Sequence, residues 1–596
     1  MIQPIVTKSK HSLFKMIRFL IKPLTIISLL LIFFLVYTII IPLWEIVIST
    51  FTSQMDTDDF SLATWKEVFT SDISQALLYK PLFHTFNIGI FVSILSLGFG
   101  TALAWVVTRT DIAYKKTISF LLILPYMLPS WFNAFVWLII FKNDRIGGST
   151  GLFQYVFNVN LPDWISYGFL PITLSLSTHY YIFAFLLVGA ALSSINGDVE
   201  ESAEILGASK FKTLTKITFP LVIPAIISAF ILIISKTVGS FGVPAILGLP
   251  VRYYTLSTMI FSSISTGQRE QGFILSIILI IIAMIIIFCN QRIMNKRNYN
   301  TISGKGSSVK LTPLGKWKTI TTSIIWLFIF GASIFPVLIL GFQTLMLQDG
   351  VYSFKNMTTH FWIGQSNPQI GNGVVGVLKN DRIIDAFKNT VVIAISASAV
   401  ASFIGLIIGY VITRSKKSFT SGFINQVSFL PILIPSIALS AIYLSMFSTP
   451  KLIIPSLYGT IIILILITVV SELPFTTRAG ASSMVQIGGE LEEAGVILGA
   501  SWFKRFFKIL LPLSKKGLLS GFILVFISAM KELDLLIMLV TPNTATLTTY
   551  TFDLQEQGYT QTANAVVFII ITVIIAVYFI ITAVGKTDIT RGIGGK

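Results

Sequence analysis

Glu201-Ser202-Ala203-Glu204-Ile205-Leu206-Gly207, with Ile217-Thr218-Phe219-Pro220 beginning ten residues after its glycine, is one of two copies of a pattern. The second copy reads Glu493-Ala494-Gly495-Val496-Ile497-Leu498-Gly499, followed at the same interval by Ile509-Leu510-Leu511-Pro512. Each is a polar, basic interruption in a long run of apolar sequence. What surrounds these interruptions fixes the class of the protein, and their repetition fixes its organisation.

Of the 596 residues, 54% are hydrophobic and only 12% are charged. A soluble domain carries about 25% charged residues, so this chain is solvated mostly by lipid. It holds more than ten apolar runs of roughly 20 residues, the length that crosses a ~30 Å hydrocarbon core as a helix. The net charge of +17 does not point to nucleic acid, because the basic residues gather in alternate loops, as expected for cytoplasmic loops of a membrane protein. Cys289 is the single cysteine, so an internal disulfide is excluded and no metal site can rest on cysteines alone. A basic N-terminal segment (Lys8, Lys10, Lys15, Arg18, Lys22) precedes an apolar run too long for a signal-peptide core, and that run reads as a retained first span.

Twelve helical spans are expected, at 24–48, 84–108, 118–141, 165–192, 219–240, 272–292, 319–345, 386–412, 423–447, 452–471, 516–541 and 563–585. Helices are required because lipid cannot satisfy open backbone groups and the runs are too long for barrel strands. The fold class is therefore all-α and polytopic. With the N-terminus inside, the basic loops 109–116, 196–218, 293–318, 413–418 and 472–515 and the C-terminal tail are cytoplasmic. The opposite loops are acidic or mixed, as at Asp56-Thr57-Asp58-Asp59 and around Asp553 and Glu556. Loop 293–318, rich in Asn, Lys, Gly and Ser, reads as a flexible linker between two six-span halves.

The halves repeat each other. Gly100–Arg109 (GTALAWVVTR) matches Gly405–Arg414 (GLIIGYVITR), and Pro125 with Pro129-Ser130 matches Pro431 with Pro435-Ser436. Six spans per half give both halves the same orientation, related by an axis along the membrane normal. The expected segments are 1–82 (N-terminal segment, first span, external loop), 83–292 (first repeated membrane domain), 293–385 (linker, seventh span, external loop), 386–585 (second such domain) and 586–596 (tail).

Within each repeated loop a helical segment (198–206, 489–498) runs to Gly207 or Gly499, which allows a sharp turn and close backbone approach. Ser209 or Ser501 is a natural N-cap for a second helix. That helix is amphipathic, with Phe211, Leu214 and Thr218, or Phe503, Phe506, Phe507 and Leu510, on its apolar face. Pro220 and Pro512 stand where a first-turn proline is tolerated. A basic helix lying on anionic lipid is the simpler reading of one copy; two copies at identical spacing and topological place argue for a docking element.

The pattern resembles the loop of permease subunits of binding-protein-dependent ABC importers of type I, Glu-Ala-Ala, three residues, Gly, nine residues, Ile-x-Leu-Pro. Glu201, Ala203, Gly207, Ile217 and Pro220, then Glu493, Ala494, Gly499, Ile509, Leu511 and Pro512, carry the resemblance. Ser202, Gly495 and Phe219 depart from it with small or apolar exchanges. The resemblance covers spans two to six of each half. It implies a coupling helix in each loop, docked on one of two copies of an ATPase subunit, with Glu201 and Glu493 facing basic residues there. ATP and Mg would belong to that subunit, and none would be bound by this chain. An extracytoplasmic substrate-binding protein would dock on loops such as 51–82 and 346–385, and the site of action would be the bacterial cell membrane.

The sequence holds no Gly-x-x-x-x-Gly-Lys-Ser/Thr phosphate loop, and His11, His84, His179 and His360 are scattered, so no catalytic or metal cluster is expected and the chain is not read as an enzyme. Two fused halves, Phe241-Gly242-Val243-Pro244 after the fifth span and Lys531-Glu532-Leu533 at the equivalent place, look like the fused permeases of ferric-iron importers. Ser240 stands where an acidic residue often precedes Phe-Gly in that group, and importers of thiamine, 2-aminoethylphosphonate or polyamines share much of the pattern. An ion-coupled secondary transporter is the rival from another class; its loops would have no reason to share a docking motif. Charges inside spans cost about 2.5–3.5 kcal/mol at a helix centre on insertion scales and mark function by default. Lys236, in the fifth span, and Lys531, Glu532 and Asp534, in the eleventh, are the candidates for a translocation path, with a structural Lys531–Glu532 pair as the alternative.

Overall fold

A computed structural model describes residues 23–51, 60–144, 149–195, 197–295, 311–415, 418–450 and 455–585. The basic N-terminal segment, Asp56–Asp59, the linker residues 296–310, Lys416, Lys417 and the tail 586–596 lie outside the described residues.

All regular structure among the described residues is helical. Among the described residues nine helices are long and apolar enough to cross a membrane: Pro23–Ser49, Gln75–Arg109, Asp163–Ser194, Lys210–Val238, Arg269–Cys289, Trp317–Gln343, Asp381–Arg414, Ile461–Gln486 and Thr560–Val577. Three bent pairs bring the number to twelve if each is one span. The third span, Lys115–Met127 and Phe132–Phe141, bends by 92°, and the ninth, Phe419–Leu433 and Ser436–Phe447, by 110°. Both breaks fall on the repeated prolines, Pro129 and Pro435. Proline lacks the N–H and clashes with the preceding turn, so the matched sequence is a matched bend. The eleventh span bends by 71° at Ser514.

Two expected spans differ. The tenth runs over Ile461–Gln486 rather than 452–471, which shortens the expected 472–515 loop to the stretch after Gln486. Its polar second half stays helical because it is packed: Glu472 accepts from Ser528 at 2.7 Å, and Thr476 and Thr477 are buried. The eleventh ends at Met530 rather than 541, so Lys531, Glu532 and Asp534 follow that helix instead of lying in it.

Compactness divides the chain into two units, residues 1–49, 390–434 and 442–530, and residues 50–389, 435–441 and 531–596. In the larger unit the second span crosses the fourth at Gly100, where a Cβ would lie 2.4 Å from the Tyr181 carbonyl oxygen. Around that crossing Leu103, Val107, Leu122, Ile182, Phe185 and Ile329 form a buried cluster. In the smaller unit the eighth and tenth spans meet the same way: a Cβ on Gly405 would come within 2.5 Å of Thr476, and one on Gly409 within 2.3 Å of Ala481. Small residues let backbones approach where lipid offers no hydrophobic drive between helices. The repeated Gly100/Gly405 is therefore a packing contact in each unit.

Candidate functional site

The first loop begins as a helix, Gly197–Ile205, and ends in a Schellman turn. Gly207 N–H donates to Glu204 O and Ala208 N–H to Ala203 O, both at 2.9 Å, with Gly207 at φ +86°. The second loop repeats this bond for bond: its helix is Gly489–Ile497, Gly499 N–H donates to Val496 O and Ala500 N–H to Gly495 O at 2.9 Å, and Gly499 has φ +72°. A left-handed residue at this position is what glycine supplies. The expected close approach is absent: a Cβ on either glycine would meet nothing within 4 Å. Ser209 and Ser501 then cap the next turn, accepting from Lys212 N and Lys504 N. Both following helices widen to i→i+5 bonding, over Leu214–Thr218 and Phe506–Leu510.

Each turn lifts an apolar tip into the open. Ile205 and Leu206 are 86% and 87% exposed, and Ile497 and Leu498 are each 85% exposed. Glu201, Glu493 and Ala494 are exposed beside them, Ala203, Ile217, Pro220 and Ile509 are half-buried, and Pro512 is exposed. The second helix turns differently from its expected apolar face. Thr213 and Thr218 are buried in the first copy while Phe211 is exposed; Trp502, Phe506 and Leu510 are buried in the second while Phe503 and Phe507 face out. The motif's departure at Gly495 also has a cause, since a Cβ there would lie 2.9 Å from Arg505 Cδ, and Arg505 Nη1 donates to Ala500 O at 2.7 Å, bracing the turn.

Sequence reasoning missed the residues that seat each loop. Glu200, one residue before Glu201, accepts from Arg109 Nη1 at 2.9 Å and from Thr218 Oγ1 at 2.6 Å. Glu492, one residue before Glu493, accepts from Arg414 Nε at 3.1 Å and from the Tyr410 hydroxyl at 2.6 Å, and Trp502 Nε1 donates to that hydroxyl at 3.0 Å. Arg109 and Arg414 already stood in the matched stretches. In the sequence they belong to the basic stretches 109–116 and 413–418, but each is the last residue of its span and is paired with a carboxylate.

The path candidates have definite partners. Asp534 accepts from the backbone N–H groups of Phe241 and Gly242, each at 3.0 Å. Gly242 sits tightly there: a Cβ would lie 2.9 Å from Trp131 Cβ and 3.1 Å from Leu533 Cδ2. Lys531 Nζ donates to Tyr126 O at 2.6 Å and lies 4.5 Å from that ring's centre, beside the third-span break. Glu532 Oε1 accepts from Leu535 N–H at 2.9 Å, closing a turn. Lys236 is exposed on the fifth span, with its charge in reach of Asp534. The four residues thus gather near one break.

Residues 96–298 and, again, 401–587 match the model of the binding-protein-dependent transport system inner membrane component. The chain belongs to this family. Among its relatives, the ferric transport system permease protein FbpB of Actinobacillus pleuropneumoniae is 27% identical over 96% of this chain and 80% of its own length. A putative ferric transport system permease protein FbpB 1 of Haemophilus influenzae is 27% identical over 88% of this chain and 79% of its own length. A putative 2-aminoethylphosphonate transport system permease protein of Salmonella paratyphi A is 26% identical over 37% of this chain and 76% of its own length.

Both matched regions of this binding-protein-dependent permease hold one Schellman loop and one Arg–Glu latch. The chain is a multi-pass transport component of an inner membrane, and its family is one of transport permeases.

Proposed function

We propose that this chain is the transmembrane subunit of an ATP-driven importer of the ABC class, carrying a solute handed over by an extracytoplasmic binding protein, and that the solute is ferric iron. The observation that carries the importer reading is the pair of exposed Ile-Leu tips, Ile205-Leu206 and Ile497-Leu498, raised by identical turns. Exposed apolar side chains in matched positions are what a docking surface presents, and two such tips suit two copies of an ATPase. ATP and Mg belong to that partner. Both loops and both termini face the cytoplasm in this reading, in keeping with the basic loops on that side. Ferric iron is suggested by the names of relatives matched over most of both chains; the shorter match to the aminoethylphosphonate permease keeps that cargo as the second choice.

Uptake of labelled ferric iron by vesicles holding the permease, its ATPase and its binding protein tests this. Uptake should stop when the ATPase cannot hydrolyse ATP and should survive a proton uncoupler. The reverse pattern would make the chain a secondary transporter; ATP-driven uptake of aminoethylphosphonate but not iron would replace the cargo alone.

A further inference from the structure

The junction between the two repeats was expected to be slack, but its end, residues 311–318, is bound beside the first loop. Thr312 N–H donates to Arg109 O at 2.8 Å, and Thr312 pairs with Thr110 as a short parallel bridge. The Asp111 carboxylate accepts from Leu314 N–H at 2.9 Å and from Lys318 Nζ at 3.0 Å. Thr110 is buried, and so is Ile112. Ile112 packs in the cluster that holds Ile325 and Ile329 of the seventh span and Ile195, just before the loop helix.

Arg109 is where this clasp meets the loop. It ends the helix Lys80–Arg109, and the last carbonyls of a helix have no donor within it. The junction supplies the donor to Arg109 O, while Lys115 Nζ reaches Thr108 O at 3.3 Å. The guanidinium of the same residue holds Glu200 through Nη1 alone. Its Nε and Nη2 have no acceptor among the described residues, so no second bond fixes the direction of the side chain. The backbone must set it, and Thr312 fixes the backbone. The repeat breaks at this point. Arg414, the matched residue, has no such bridge beside it among the described residues. Its guanidinium makes two bonds instead, Nε to Glu492 at 3.1 Å and Nη2 to Ile487 O at 3.0 Å.

We propose that the end of the junction, with Thr312 at its centre, is a positioning element of the first loop that keeps Arg109 aimed at Glu200. The second loop needs none, because Arg414 is aimed by its own two bonds. The effect on coupling rests on the importer reading, whereas the positioning of Arg109 does not. The junction is then more than a tether: it acts on one of the two loops, through one arginine.

Two measurements test this: hydrogen exchange of the full-length chain, and labelled ferric iron moved per ATP by its complex with ATPase and binding protein in vesicles. Thr312→Pro removes the donor to Arg109 O at a residue that Pro313 already biases to extended backbone. One hydrogen bond is worth about 2–10-fold in an equilibrium, so exchange at Gly207 and Ala208 should quicken by that factor. Gly499 and Ala500 should not change. Iron moved per ATP should fall, and Thr312→Val, which retains the N–H, should restore both readouts. Adding Thr312→Pro to Glu200→Gln should change nothing further, since both act through Arg109. Lys318→Met, at a partly exposed position, loosens the clasp without touching Arg109 and should act in the same direction, more weakly. Four results would overturn the proposal: first-loop exchange unmoved by Thr312→Pro and Lys318→Met, equal change in both loops, full additivity with Glu200→Gln, or quickened exchange with iron per ATP unaltered. Quickened first-loop exchange in a parent without ATP-driven uptake would instead keep the positioning role and remove the importer reading.

Discussion

Arg109 Nη1 and the carboxylate of Glu200 meet at 2.9 Å, joining the last residue of the second span to the first turn of the loop helix, with side chains only 3% and 12% exposed. Arg414 and Glu492 make the corresponding join at 3.1 Å in the other unit, at 20% and 13% exposure. Removing one partner of a buried pair costs about 3–5 kcal/mol, because the other charge is stranded. Arg109 is the worse case, since its Nε and Nη2 have no acceptor among the described residues. Glu200→Gln should therefore lower thermal stability more than Glu492→Gln. If the latch also passes motion from loop to span, both variants should lower solute moved per ATP hydrolysed while the ATPase still co-purifies. Restoration of that ratio by the exchanged pair Arg109→Glu with Glu200→Arg would separate coupling from mere folding.

Gly207→Ala and Gly499→Ala should each cost about 1–2 kcal/mol, the penalty of a Cβ in the left-handed region. Space is not the cause, since nothing lies within 4 Å. Asparagine, which tolerates that conformation better, should be milder than alanine, and valine worse than both. Loop hydrogen exchange and coupled uptake should follow the same order.

Leu206→Asp and Leu498→Asp alter side chains that touch little of their own chain. Stability should change by no more than about 0.5 kcal/mol, as for ordinary surface changes. Co-purification of the ATPase subunit should fall for each and vanish for the pair. Retained ATPase binding in the double variant would remove the docking role from the tips.

Asp534→Ala should strand the N–H groups of Phe241 and Gly242, at about 1–3 kcal/mol for each unmade buried bond. Asp534→Asn keeps one acceptor oxygen and should recover part of the loss. Faster amide exchange at Phe241 and Gly242 in the alanine variant is the direct measurement. Lys531→Met, which removes the donor to Tyr126 O, tests the third-span break separately through its effect on uptake.

Asp111 gives a pH signature outside the spans. It accepts from Leu314 N–H at 2.9 Å and from Lys318 Nζ at 3.0 Å, and these bonds, the backbone one foremost, hold its carboxyl below its ordinary value. A lowered folded value means the contact adds stability above the unfolded value of about 3.9 and loses it as pH falls through the folded one. Protection of the Leu314 amide should thus be level from pH 7 to about 5 and fall only below the ordinary carboxylate range. Asp111→Asn should flatten that fall.

Lipid solvation, an all-helical fold of nine to twelve spans and the doubled loop were all readable in the chain, because each depends on local properties: the length of an apolar run, the spacing of glycine and proline, the sign of a loop. The limits of the tenth and eleventh spans were not, since Glu472 stays in a helix only where Ser528 meets it, and Lys531 to Asp534 leave one only where Tyr126, Phe241 and Gly242 receive them. Glu201 and Glu493 stood out by motif, yet their neighbours Glu200 and Glu492 are the ones the fold binds. No spacing rule distinguishes two adjacent carboxylates on one helical turn; the arginine reaching back from a different span does. The repeated loop itself was legible in the sequence, while its bare Ile-Leu tips and the Arg–Glu latch behind each became visible only once distant segments were packed together.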